Sequence, residues 1–102
     1  MATVLALYKR PVDAAAFDQY YFERHVPLAK ELPGLRAYRV SENTVMGPDG
    51  PSGIHLAAIL EFDTMSDIQS AIASDAGQKT IADIANFASG GMDLLIFDSR
   101  PV

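Results

Sequence analysis

The chain has 102 residues, 49 % hydrophobic and 21 % charged, which is the size and composition of one globular domain and not of a disordered segment. Its formal net charge is −5, from 8 basic and 13 acidic side chains, and its longest basic cluster is Lys9-Arg10, so it lacks the phosphate-neutralising surface of a nucleic-acid binder. Cysteine is absent, which removes disulfides, thiolate nucleophiles and Cys-bound metals; no apolar run approaches the roughly 20 residues that span a bilayer, so no membrane role and a soluble, cytoplasmic protein are expected.

Residues 3–8 form a short apolar run closed by Lys9-Arg10-Pro11. They read as a buried first strand and, with no basic region ahead of them, not as a signal peptide. Asp13 is placed to cap a helix, its carboxylate accepting the free amides of the first turn. That helix is expected from Ala14 to Leu32, with Phe17, Tyr21, Leu28 and Leu32 on its inward face at 3.6-residue spacing. Pro27 cannot donate to the carbonyl of Glu23, so a kink or restart is expected there, and Pro33-Gly34 ends the segment. Residues 35–46 are expected as the second strand, 47–53, with three Gly and two Pro, as a loop, and 54–63 as the third strand. Thr64 and Asp67 have capping-box spacing, with Asp in place of the usual Glu or Gln. The helix behind them runs to about Ala73, breaks at Gly77 and continues to Phe87-Ala88. Gly90-Gly91 closes it, and residues 92–98 make the last strand.

The order strand, helix, strand, strand, helix, strand predicts an α+β fold. It corresponds to a single ferredoxin-like βαββαβ domain over residues 1–102, with a four-stranded antiparallel sheet and both helices on one face. A sheet with one wet face should alternate apolar and polar residues. Here both parities are apolar. Leu5 and Leu7 oppose Val4, Ala6 and Tyr8; Ala57 and Ile59 oppose Leu56, Ala58, Leu60 and Phe62; Leu95 and Phe97 oppose Met92, Leu94 and Ile96. Two helices cover only one face, so a second copy of the chain is expected on the other, as a symmetric homodimer.

No GxGxxG, P-loop, HExxH or Gly-x-Ser-x-Gly string is present. His25 and His55 have no metal-ligand spacing, so no metal is expected. His25 follows Tyr21 by four residues at the edge of the inward stripe, two residues before Pro27. Imidazole exchanges protons near neutral pH, and a phenol from Tyr38, at the start of the second strand, could share its cavity and donate to a developing oxyanion. The bland reading of His25 is a core histidine satisfied by a carbonyl or by Tyr38. The group Tyr8, Phe17, Tyr20, Tyr21, Tyr38 and Phe62 reads as ordinary core. His55 reads as an exposed residue at the start of a strand or a contributor to a pocket mouth. Arg36 is expected in a surface ion pair, and Asp63, Asp67, Asp75 and Asp83 in caps and a solvated face.

The string His25-Val26-Pro27-Leu28-Ala29-Lys30-Glu31-Leu32-Pro33-Gly34-Leu35, followed by Arg36-Ala37-Tyr38-Arg39-Val40, resembles the EthD family. That family is named for a protein associated with ethyl tert-butyl ether degradation and belongs to the dimeric α+β barrel superfamily. Lys9-Arg10, Phe17, Tyr20-Tyr21 and Asn86-Phe87 extend the resemblance over nearly the whole chain. It implies a cofactor-independent enzyme acting on a small hydrophobic molecule such as an aromatic polyketide or lactone. The reaction would be of isomerase, dehydratase or monooxygenase type. It also implies His25 and Tyr38 as site residues, with Phe17, Tyr21, Leu28 and, more weakly, His55 around the substrate. Superfamily isomerases that place a histidine and a tyrosine similarly also carry a site cysteine, which this chain lacks. The alternative is a non-catalytic ligand-binding or accessory protein of a degradation pathway.

Overall fold

Strand β1 (Ala2–Lys9) buries Ala2, Ala6 and Tyr8 on one face and lies inside the sheet of the computed structural model, which describes residues 1–102. The first helical segment follows as α1 (Ala14–Tyr20), a π-helical turn (Tyr21–His25) and α2 (Val26–Ala29). Then come β2 (Ala37–Val40), a short ladder of β3 (Met46–Gly47) with β4 (Gly50–Pro51), and β5 (Ile54–Phe62). Helices α3 (Met65–Ala73) and α4 (Asp75–Asp83), a 3₁₀ turn (Ile84–Asn86) and β6 (Met92–Asp98) complete the chain.

The four long strands lie in the order β2-β5-β1-β6 and are antiparallel throughout, the ferredoxin-like arrangement that the element order predicts. Ala2, Ala6 and Tyr8 of β1 join Leu56, Ala58, Leu60 and Phe62 of β5 in one core with Phe17, Tyr21, Ile68, Ala71 and Phe87 from the helical layer. Asp13 caps α1 through Ala16 N–H at 3.0 Å, and Thr64 caps α3 through Asp67 N–H at 3.0 Å, as their spacing predicts. Arg36 pairs with Asp63 at 2.8 Å on the surface. No helix is long and apolar enough to cross a membrane.

Three boundaries differ from expectation. The second strand covers 37–40 and not 35–46, because Asn43 takes φ +59, outside extended geometry, and the chain then folds back on itself as β3 and β4. The first helix ends at Ala29, not Leu32. In the second helical segment the break is at Ser74, whose ψ of 164° is extended and whose hydroxyl accepts the Gly77 amide at 3.0 Å, capping α4. Gly77 lies within α4 for another reason. A Cβ there would stand 2.0 Å from the Ala71 carbonyl oxygen and 2.6 Å from that of Ile72. The glycine lets the start of α4 press against the carbonyl end of α3.

Gly77→Ala should therefore destabilise the fold by overpacking, at about 1–3 kcal/mol. Thermal unfolding should show a melting temperature lower by at least about 4 °C. An unchanged melting temperature would mean that the two helix ends separate freely.

Candidate functional site

Phe17, Tyr21, His25 and Ala29 are buried, one every fourth residue. In a regular α-helix such a series drifts about 40° around the axis at each step. The π turn compensates: the Val26 amide reaches back five residues to the Tyr21 carbonyl, and the wider turn keeps His25 beneath Tyr21. Pro27, which has no N–H, sits at the start of α2 just beyond it. The extra residue in the turn shifts the inward stripe by one position. Ala29 accordingly takes the buried place expected for Leu28, and Leu28 does not border the cavity described next.

Between the sheet and the helices lies an internal space of ≈ 70 Å³. His25 and Tyr21 border it from the first helical segment, Tyr38 from β2, and Tyr8, Ala58 and Leu94 from the other strands. Leu32 borders it as well. Phe17 does not, because its ring is enclosed by Tyr8, Tyr21, Phe87 and His55 at centroid distances of 4.8–5.7 Å. His55 is also outside. The register of β5 on β1 passes from Leu56 opposite Tyr8 to Ile54 opposite Lys9, leaving His55 as the extra residue of a bulge. Its Nε2 meets Asp18 of α1 at 2.8 Å, and its ring lies edge-on to Phe17. His55 is thus a clamp between sheet and helix, not the exposed residue or pocket-mouth contributor expected.

His25 is 3 % exposed, and its Nδ1 lies 3.0 Å from Oδ2 of Asp83. Asp83 also accepts from the Tyr20 hydroxyl at 2.6 Å and from Nδ2 of Asn86 at 3.0 Å. Burial raises the Asp83 carboxyl, but the bonds from Tyr20, Asn86 and His25 outweigh it and hold the group below its ordinary 3.8. The carboxylate is therefore ionised at neutral pH and can only accept, so Nδ1 carries the proton of the neutral imidazole. Burial lowers His25 below its ordinary 6.5, against the hydrogen bond and charge of Asp83. Nε2 is left without a proton or a partner. Since no side-chain nitrogen or oxygen lacking a partner is sealed inside the protein, Nε2 reaches the open space that His25 borders.

The hydroxyls of Tyr21 and Tyr38 are 2.5 Å apart. Burial raises both phenols, so each stays protonated. One proton is consumed between them and the other is free. Either hydroxyl can be the donor, so the free proton belongs to the pair, and both rings border the cavity. Chemically the site holds one bare nitrogen base, backed by a carboxylate, and a phenolic donor in an apolar enclosure. No group of three or more histidine or acidic side chains is placed to hold a metal ion.

Asp83, Tyr20 and Asn86 escape sequence reasoning as parts of this constellation. A signal was nonetheless present. Gly77, Thr80, Asp83 and Phe87 recur at helical spacing and are all buried, so Asp83 is a charge on an inward stripe and not on a solvated face.

The EthD domain family matches residues 9–91. An uncharacterised 11.0 kDa protein of the thcB–thcC intergenic region of Rhodococcus erythropolis is 37 % identical over 102 residues, covering 100 % of this chain and 98 % of the relative. The crystal structure of an EthD family protein from Bacillus halodurans superposes with a TM-score of 0.89 at 33 % identity, covering 98 % of this chain and 99 % of that one. A cofactor-independent oxygenase from Streptomyces nogalater is similar at a TM-score of 0.69 and 14 % identity, over 99 % of this chain and 94 % of its own. A dimeric ferredoxin-like protein from Thermobifida fusca is similar at 0.70 and 12 %, over 94 % and 88 %. At those identities the last two share the fold alone.

Burial of a neutral His25 gives the fold a defined acid sensitivity. The folded imidazole protonates below 6.5 and the unfolded one at 6.5, so between those values the unfolded chain binds more protons and stability rises with pH. The contribution is complete above pH 6.5 and drains away as pH falls towards the folded value. Asp83 adds stability present above 3.8 and lost as pH falls below it towards the lowered folded value. Urea unfolding from about pH 7.5 down to about pH 5 should show a falling midpoint, and His25→Gln should flatten that slope. Equal slopes in the two proteins would mean that His25 is not buried in its neutral form.

Proposed function

This chain belongs to the EthD family, and from that premise we propose that it is a small cofactor-independent enzyme of the cytoplasm. It uses His25 as general acid and base on a hydrophobic, oxygenated metabolite of the aromatic polyketide or lactone kind. The observation that carries this reading is the environment of His25: Nδ1 held by the Asp83 carboxylate, Nε2 bare in an apolar cavity that Tyr38 also borders.

In the proposed reaction Nε2 takes a proton from an acidic C–H beside a carbonyl. The electron pair of that bond moves towards the carbonyl oxygen, which becomes an enolate and accepts from the Tyr38 hydroxyl. The imidazolium so formed is doubly protonated, and Asp83 stabilises it through Nδ1. Return of the proton to another carbon completes an isomerisation. Its delivery to a departing hydroxyl completes a dehydration, and attack of the same enolate on dioxygen would begin an oxygenation. Tyr21 supports the site by donating to Tyr38. A general base of this kind contributes about 10²–10⁴-fold.

Deuterium exchange into 2-tetralone, followed by NMR, tests the proton transfer without knowledge of the natural product. The wild-type protein should accelerate exchange over buffer. His25→Gln should lower the acceleration by about 100-fold or more, and Tyr38→Phe by about tenfold or more. Asp83→Asn should slow exchange and shift its pH profile to lower values, because the imidazolium loses its anionic partner. Ligand binding with no acceleration in the wild type would leave only the rival reading, a binding or accessory protein of a degradation pathway.

We further propose that the active form is a homodimer joined through the open face of the sheet. Leu5, Ile59 and Leu95 form one row across that face, with Phe97 beside them; Leu95 and Phe97 are 48 % and 43 % exposed. The Arg39–Glu61 pair, at 2.9 Å, lies at the β2 side of the same face as a polar rim. Light scattering should give twice the 11.0 kDa chain mass. The double substitution Leu95→Asp, Phe97→Asp should return it to one chain, and a wild-type monomer would exclude this interface.

A further inference from the structure

The phenol of Tyr8, on the interior strand β1, makes no hydrogen bond although the residue is only 2 % exposed. Its ring is fixed edge-on by Phe17 and Tyr21, at 5.5 and 5.6 Å between centroids. Because no partnerless polar atom is sealed inside the protein, the hydroxyl reaches the cavity that Tyr8 borders. Burial, with Tyr38 and Asp83 nearby, pushes this phenol upwards, so it stays protonated and acts as a donor. The cavity thus presents two spare O–H donors, one from Tyr8 and one from the Tyr21–Tyr38 pair, and the bare acceptor Nε2 of His25. Its wall contains no lysine, arginine, aspartate or glutamate. A carboxylate or phosphate entering it would surrender its hydration with no cation to meet it, and Asp83, behind His25, adds repulsion.

We infer that the ligand is a neutral, largely apolar molecule with two oxygen acceptors, one received by the Tyr21–Tyr38 pair and the second by Tyr8, and with its acidic proton facing His25. A β-diketone is the simplest such class. Its central C–H is acidic because both flanking oxygens share the charge, and two donors and one base in a single cavity match that need. The inference rests on the reading of this cavity as the ligand site, and it assigns Tyr8 as a binding and specificity-determining residue.

The test is equilibrium binding, by NMR titration of the intact protein at neutral pH, of three probes of similar size. Benzoylacetone is neutral with two oxygens, butyrophenone is neutral with one, and benzoylacetate is anionic. Benzoylacetone should bind more tightly than butyrophenone by about two- to tenfold, the worth of one hydrogen bond, and benzoylacetate at least about tenfold more weakly than benzoylacetone. Tyr8→Phe should erase the advantage of benzoylacetone while leaving butyrophenone unchanged. The wild-type series alone decides the two-acceptor class should that variant fold poorly. Equal affinity for the two ketones, tight binding of benzoylacetate, or a Tyr8→Phe loss shared equally by both ketones would overturn the inference. Binding in the expected order without deuterium exchange would retain the ligand class and reject His25 as a working base.

Discussion

A carboxylate shut inside a small domain must be paired and hydrogen-bonded, and the fold around Asp83 is arranged to satisfy it. Three donors meet it: Tyr20 from the end of α1, His25 from the π turn and Asn86 from the 3₁₀ turn after α4. They come from chain segments about sixty residues apart, so the bonds tie the two helical halves together over the sheet. Removing any one donor leaves part of a buried charge uncompensated, at an expected cost of about 1–3 kcal/mol. This constraint fixes the ring of His25 in one orientation and its proton on one nitrogen.

The π turn serves the same constraint. A regular helix through 14–29 would rotate His25 away from Tyr21 and bring residue 28 inwards. Widening one turn keeps Tyr21 and His25 on one line, 5.3 Å apart between ring centroids, with Phe87 packed 4.6 Å from the imidazole. Pro27 places a residue without an amide proton where the helical bonding is already interrupted, so the interruption costs less than it would within a regular helix. Local backbone irregularity and the position of the imidazole are therefore one feature.

The architecture was legible in the sequence because it rests on periodicity and end signals. The short apolar run of 3–8, the caps Asp13 and Thr64, and the glycines before 92 each act over a few residues and need no partner. Both apolar parities of the strands were equally readable, since every strand carries its own evidence. What could not be read was registry. The one-residue shift from Leu28 to Ala29 depends on a π turn with no local signature of its own, and the turning of His55 onto Asp18 depends on a bulge set by pairing with β1. Asp83 was hidden for a similar reason: its burial becomes visible only when Gly77, Thr80 and Phe87 are seen as an inward stripe, and an acidic residue on a helix is ordinarily solvated.

The strength of the base sets a condition on the chemistry. Burial holds His25 below the ordinary histidine value, which makes it a weaker base than an imidazole in water. Such a base removes a carbon-bound proton at a useful rate only if the resulting anion is stabilised elsewhere. The same burial keeps the Tyr8 and Tyr38 phenols protonated and dry, so their dipoles act on a forming oxyanion with little screening by water. Desolvation therefore weakens the base and strengthens the donors together. The balance favours a substrate whose proton is already acidic and whose charge, once formed, lies on oxygen. It disfavours one that arrives with a charge of its own.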